Sequence, residues 1–544
     1  MDDLRISTGG RTSYTRSLES ADISLGLGVS PRDYLGLQED FEDIGGRGLE
    51  RKLETRTRES HQLDFQGTAR IFLSDQATLR LNALYEKDPR TGNDYAETFE
   101  FQPNGTQALS EYSTEPSDRT MQTWEIGGDY EYQLTDNDLF ELLFLRNEGD
   151  HDRESHKTTL DADGRVIEQN IDTRDERTEE TVLRGTWFSS QDSGSEFDIG
   201  LELAINELDK TTVLFEGEPE PLEQVLIPNA DQVIKEDRAE LFANYSFGWA
   251  KTRVRLGLAA EFSEFDQQGS DVSQVRSLDY LKPSVNLSYG GARGRRMFLT
   301  FRRDVSQLDF EDFVAYIDPW DDEIRAGNPD LLPETSWDLE AGTEHHFGEN
   351  SGLFKLSLFH RWVEDVHDLV PLDPDDSQPG NLPDGRHWGL EADFGLRLDR
   401  FGIPGAVVNG SYKWQDSKTT DPFTGETRPF QSQERYEAHL EFRHDIERLR
   451  GAYGISWSAE GHEYRFDADR TDVDKDAGQV RMFVERRIGR SLILKLSARQ
   501  LHEPHSRRTR LNYDPDRASE IRDTREIRTS NWARSVTLTL SGIF

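Results

Sequence analysis

The chain of 544 residues contains no cysteine, which removes disulfide frameworks, thiolate metal sites and cysteine nucleophiles from consideration. It also has no apolar run near the roughly 18 residues that a membrane helix requires, and its mean hydropathy is -0.78. That excludes helical membrane bundles only, because a barrel strand alternates lipid-facing with lumen-facing residues and averages to a polar segment. Basic residues are in deficit: 64 Lys and Arg stand against 105 Asp and Glu, a formal net charge of -41. Nucleic acid is therefore excluded as a partner, since its phosphates would be repelled, and cations or cationic surfaces are the expected ones. The opening MDDLRISTGG lacks the basic and apolar regions of a secretory signal. No GxSxG, HExxH or P-loop pattern occurs, so neither an enzyme nor a bound cofactor is expected.

What is present is alternation with a period of two, from end to end. In HQLDFQGTARIFL, Leu63, Phe65, Gly67, Ala69, Ile71 and Leu73 share one face, against Asp64, Gln66, Thr68 and Arg70. In TRVRLGLAAEF, Val254, Leu256, Leu258, Ala260 and Phe262 oppose Arg253, Arg255 and Glu261. One face suits hydrocarbon and the other water. The connections alternate between short turns, such as SPRD at 30, SDQ at 74 and TDND at 135, and long polar stretches at 87–120, 148–178, 209–237, 305–335, 364–386 and 502–530. Short turns on one rim and long loops on the other predict an all-β fold, a transmembrane antiparallel barrel of about 22 strands. That count takes YLGLQEDF, from Tyr34, as a separate strand. Trp124, Trp337, Trp388 and Trp532 are expected to open strands that descend from long loops, and Trp362 and Trp414 to close strands that rise into them, as an interfacial girdle.

Two segments carry a family resemblance. The last strand, SVTLTLSGIF, alternates Val536, Leu538, Leu540, Gly542 and Phe544 with Ser and Thr and resembles the assembly signal of outer-membrane barrels. GNPDLLPETSWDLEAGTEHHF, from Gly327, resembles the NPxLxPExS segment of TonB-dependent receptor barrels, at Asn328, Pro329, Leu331, Pro333, Glu334 and Ser336. Its prolines fix φ and withhold backbone donors, which suits a rigid descent from loop to strand. The motif marks the family and is not read as a ligand site.

The resemblance implies that residues 1–544 are the barrel of such a receptor in the outer membrane, with the signal, TonB segment and plug missing and strand pattern already under way by Leu4 and Ile6. It implies energised uptake of a scarce small molecule or metal chelate, such as a ferric siderophore. Implied partners are outer-membrane lipid and lipopolysaccharide, the barrel assembly machinery, and the TonB complex through the missing plug. The alternatives are a plugless passive pore with cation preference, or a structural or assembly barrel.

Further candidate groups have bland readings. The acidic clusters Asp318, Asp321, Asp322, Glu323 and Asp373, Asp375, Asp376 are read as solvated loops, without calcium-loop spacing. His345 and His346 are neighbours on a strand, so they point to opposite faces and cannot chelate together. His502 and His505 belong to a surface loop. Arg253, Arg255, Lys355, Arg361, Lys413, Lys495 and Arg499 are expected to line the lumen in networks with acidic partners.

Overall fold

The structure, a computed structural model, describes residues 6–543 apart from 218–220, 271, 292–293, 319–322, 349–350, 373–376, 477 and 502–504. Leu4 and Phe544 lie outside the described residues. The first strand starts at Gly10. Each strand pairs antiparallel with the next, beginning with Arg47–Ser74, Ala77–Phe101 and Gln107–Gln133. This is the cheapest topology for a chain whose short turns already join neighbours. The circuit closes where Arg525–Trp532 pair with Gly36–Asp43. Closure there gives the upper parts of the two seam strands a partner on both sides.

Of the 28 strands in this sheet, Gly10–Ser17, Glu223–Val225 and Thr427–Arg428 are side pieces, and five pairs are halves of single runs. That leaves twenty runs in the described circuit, against the expected twenty-two. One cause is SPRD, which is not a turn. Pro31 pairs with His61 and Tyr34 with Arg58 on the same neighbour, so residues 21–44 form one run. At the break, Arg32 N donates to the Ser60 carbonyl (2.9 Å) and Asp33 Oδ1 accepts from Ser60 N (3.4 Å). The Pro-Arg-Asp turn signal is overridden because the partner strand runs on uninterrupted.

The terminal strand does not pair with the first strand among the described residues. Ser535–Gly542 pairs with Leu492–Arg499, while Gly10–Ser17 occupies the edge of Ala21–Pro31 on the lower half of the seam. Val536, Leu538 and Leu540 lie on the outward face, opposite Ala498, Leu496 and Leu494.

The largest correction concerns the polar stretches. Residues 87–120 are the upper ends of two strands, joined by the turn 102–106, and 148–178 are likewise strand around the turn 162–165. Stretches 209–237, 364–386 and 502–530 are mostly strand as well, and only 305–335 is largely loop. Strands therefore reach 28 residues, where roughly 9–11 suffice to cross a bilayer. The upper halves are polar on both faces because neither face meets lipid. There, cross-strand ion pairs such as Arg58–Asp94 replace apolar contacts.

The described aromatic level follows from this. Tyr85, Trp124, Trp337, Trp362, Trp388 and Trp414 stand nine to eleven residues from the nearest short turn; Trp337 opens its strand as expected, whereas Trp124, Trp362, Trp388 and Trp414 lie mid-strand and not at strand ends. They share the outward face, as Trp337 opposite Trp362 and Tyr85 opposite Trp124 show. Trp532 departs from them. It pairs with Gly36 and packs edge-to-face on Tyr34 at 5.2 Å, on the bore side.

Candidate functional site in the upper bore

Parity decides which residues face the bore. On Thr252–Gly269 the exposed Leu256, Leu258 and Phe262 are outward, so the odd-numbered Phe265 points inward. The same count turns Leu208, Ile234 and Leu278 inward, since Leu203, Leu241 and Leu281 on their strands are exposed outward. On these inward residues pack the described parts of the segment 306–334. Leu308, Phe313, Val314 and Leu331 join Leu208, Ile234 and Phe265 in one buried cluster. The segment therefore folds into the bore instead of standing above it. A 3-10 turn in it, Phe310–Phe313, is capped by Asp309, whose carboxylate accepts from Glu311 N at 2.9 Å.

The NPDLLPETS residues form the joint of this inward loop. Asn328 Oδ1 accepts from Asp330 N (2.9 Å), and its Nδ2 donates to the Pro379 carbonyl (2.8 Å). Gln274 donates to the Pro329 carbonyl (2.8 Å) and Arg276 to that of Leu331 (3.1 Å). Leu331 itself is 1% exposed. Pro333 precedes Glu334, which accepts from His367 N at 3.4 Å, and Ser336 donates to Asp338 at 2.7 Å. Gly327 is required by close approach, since any side chain there would collide with the Phe313 carbonyl. Burial pushes the carboxyls of Asp312 and Glu334 above the usual carboxylate range, with Asp309 adding to the rise at Asp312.

A second segment, 421–435, also turns inward, onto the bore side of Ala406–Thr420. Gln415 Nε2 donates to the Glu434 carbonyl (2.8 Å), and Phe430 N donates to Ser417 Oγ (2.9 Å). Its anchor is Arg428, 7% exposed, which donates to both oxygens of Asp368 (2.9 Å each) and to Asp421 (2.7 Å). Arg517 donates to the same Asp421 oxygen at 2.8 Å. Burial pushes the Asp421 carboxyl up, but the hydrogen bonds and charges of Arg517 and Arg428 outweigh it and hold the group below the usual range.

Beside this loop, the closing seam carries a cavity of about 350 Å³, lined by Tyr34, Trp532, Arg56, Glu434, Glu460 and Arg508 among others. Its wall holds Arg528, Arg508, Asp474 and Glu463, which continue an inward row from Asp40, each opposite the next on five adjacent strands. Such a surface offers hydrogen bonds, both charge signs and two aromatic faces to a polar solute.

The lumen-facing residues expected from the sequence fall on the inner face. Arg253 pairs with Glu196, Arg255 reaches Asp198 (3.1 Å) and Arg361 Asp338 (3.7 Å), and Lys413 reaches Glu437 (3.0 Å). Lys355 and Lys495 lie over Phe298 and Phe483, and Arg499 lies opposite Arg481 and Ser535. His346 bonds Glu344 (2.6 Å) while His345 packs on Phe347, on opposite faces. Asp321, Asp322, Asp373, Asp375, Asp376 and His502 lie outside the described residues, and of Asp318, Glu323 and His505 only the strand backbone is described. The Arg428 anchor and the seam row escaped sequence reading, because their partners are brought together only by the closed circuit.

The family model described as "TonB dependent receptor-like, beta-barrel" matches residues 7–499. No curated protein matches the chain. Among solved structures, the ferripyoverdine receptor of the outer membrane of Pseudomonas aeruginosa is 10% identical, with a TM-score of 0.60 over 95% of this chain and 76% of that one. The ferric-catecholate import receptor Fiu from Escherichia coli K12 is 11% identical, with a TM-score of 0.54 over 93% and 82%. The siderophore receptor PiuA from Acinetobacter baumannii is 10% identical, with a TM-score of 0.54 over 94% and 86%. At these identities the structural likeness establishes the fold alone, and the family rests on the model match. The membership implies an outer-membrane location and a receptor or transporter role. The chain belongs to the TonB-dependent receptor-like β-barrel family.

Proposed function

We propose that this chain forms the wall of an outer-membrane receptor that captures a scarce solute, such as a ferric siderophore, and passes it inward with energy from the TonB complex. The observation that carries the reading is the pair of segments, 306–334 and 421–435, seated inside the bore. They narrow the outer mouth and present polar groups at its entrance, which suits selective capture more than free diffusion. The outward apolar band below the aromatic level meets lipid, and the tall polar walls stand above it. In this reading TonB acts through a plug supplied from outside the barrel wall, and the terminal strand serves recognition by the assembly machinery.

The test is accumulation of radiolabelled iron chelates by iron-starved cells with and without the gene, repeated in a strain lacking TonB. Uptake that requires both the gene and TonB supports the reading. Uptake indifferent to TonB, together with steady cation-selective conductance of the intact receptor in planar bilayers, overturns it in favour of a passive pore.

A further inference from the structure

Four arginines stand in register on adjacent strands. Arg90 lies opposite Arg119, Arg119 opposite Arg153, and Arg153 opposite Arg174. The row faces the bore, because Arg174 donates to Glu311 of the inward loop at 3.2 Å and directly opposed residues share a face. It stands five residues above Trp124, beyond the membrane level. Neighbouring strands are about 5 Å apart, so the row spans about 15 Å.

Like charges directly opposite one another are destabilising, and the acids nearby are already committed. Asp88 holds Arg90 (2.9 Å), Glu115 and Asp172 hold Arg153 (3.5 and 3.9 Å), and Glu176 and Glu311 are shared between Arg174 and Lys210. Arg119, in the middle of the row, has no ion pair and no side-chain hydrogen bond among the described residues, and its buried Nε has no partner. Beside the end of the row, Lys210 is 0% exposed, and its Nζ makes no hydrogen bond, with its two carboxylates at 3.8 and 3.9 Å. A buried ammonium and a guanidinium left without acceptors are costly unless a ligand supplies them.

We infer that the Arg90–Arg119–Arg153–Arg174 row is a binding site for a small polyanion, its carboxylate or phosphate oxygens received by Arg119 and the neighbouring guanidinium forks. Arginine presents planar paired donors that match such oxyanions, and several groups about 5 Å apart on one ligand would engage successive strands. The inference rests on the uptake reading and names its substrate class: an anionic solute or anionic chelate, opposite to what the net charge of the chain suggests.

The test is titration calorimetry on the purified full chain in detergent, with citrate as the polycarboxylate probe and pyrophosphate as the phosphate probe. Binding of either, weakened about tenfold to a hundredfold in Arg119→Gln and partly retained in Arg119→Lys, supports the site; the preferred probe tells which oxyanion it takes. Arg51→Gln removes the same charge at the outward Arg51–Glu39 pair and should leave affinity unchanged. Because Arg119 holds no partner, its replacement should not unfold the wall, which circular dichroism checks. Failure of both probes to bind, or equal affinity in Arg119→Gln and the wild type, overturns the site. TonB-dependent uptake that persists without anion binding overturns this site alone, whereas anion binding without uptake overturns the transport reading alone.

Discussion

The lower and upper halves of the same strands obey different rules. From the aromatic level down, Arg47–Ser74 alternates Phe65, Gly67, Ala69 and Ile71 outward with Gln66, Thr68 and Arg70 inward; above it, residues 47–60 are charged or hydroxylated on both faces apart from Gly48, Leu49 and Leu53. The backbone ladder is continuous through both, so hydrogen bonding does not distinguish them. Solvent does. The lower half is specified by lipid on one side and water on the other, whereas the upper half is held by ion pairs and by loops packed against its inner face.

The sharpest way to break this comparison is at Arg428. Arg428→Ala leaves the buried Asp368 and Asp421 carboxylates without their main partner and should cost about 3–5 kcal/mol. Arg51→Ala, at the exposed pair with Glu39, should cost no more than about 1 kcal/mol. Limited proteolysis within 421–435 and denaturant midpoints read the difference. Next comes Leu331→Ala, which empties the buried cluster under segment 306–334 and should cost about 2–5 kcal/mol locally. Hydrogen exchange at the Leu331 amide, bonded to the Asn328 carbonyl at 3.3 Å, would show the seat opening while the wall strands stay protected.

Leu258→Arg places a cation on the lipid face and should cost about 2–4 kcal/mol. Tyr95→Arg, also outward but above the aromatic level, should cost about 0.5 kcal/mol or less. Urea titration of chain refolded into lipid vesicles compares the two, and equal costs would contradict the placement of the membrane boundary.

The smallest expected effect is a difference in acid response. Asp312 and Glu334 have raised pKa values, so their contribution to the seat of 306–334 is full below the ordinary carboxyl range and lost as pH rises through the raised values. Asp421 is lowered; its contribution is complete above the ordinary range and lost only as pH falls through the lower folded value. From neutral pH down towards the ordinary range, exchange protection should therefore rise in 306–334 and stay level in 421–435.

Much of the lower half was legible in the sequence, because alternation with period two is a local consequence of the pleat and lipid accepts only one face. The NPDLLPETS stretch was legible as a motif, through its prolines, but its seat inside the bore was not. That seat depends on Phe265, Ile234 and Leu208, three strands whose inward residues look locally like any alternating pair. The upper strands were misread as loops because charge on both faces removes the contrast on which periodicity reading depends. The arginine row shows the same limit, since its four members lie 84 residues apart from first to last and only the register sets them side by side.

The sequence alone determined that this chain is a β-structure with one greasy face, because side-chain alternation is written residue by residue. Only the tertiary structure decided where the circuit closes, which loops enter the bore and which charges become neighbours. Those depend on strand register and closure, which couple residues far apart in the chain through a ladder that carries no side-chain signature of its own.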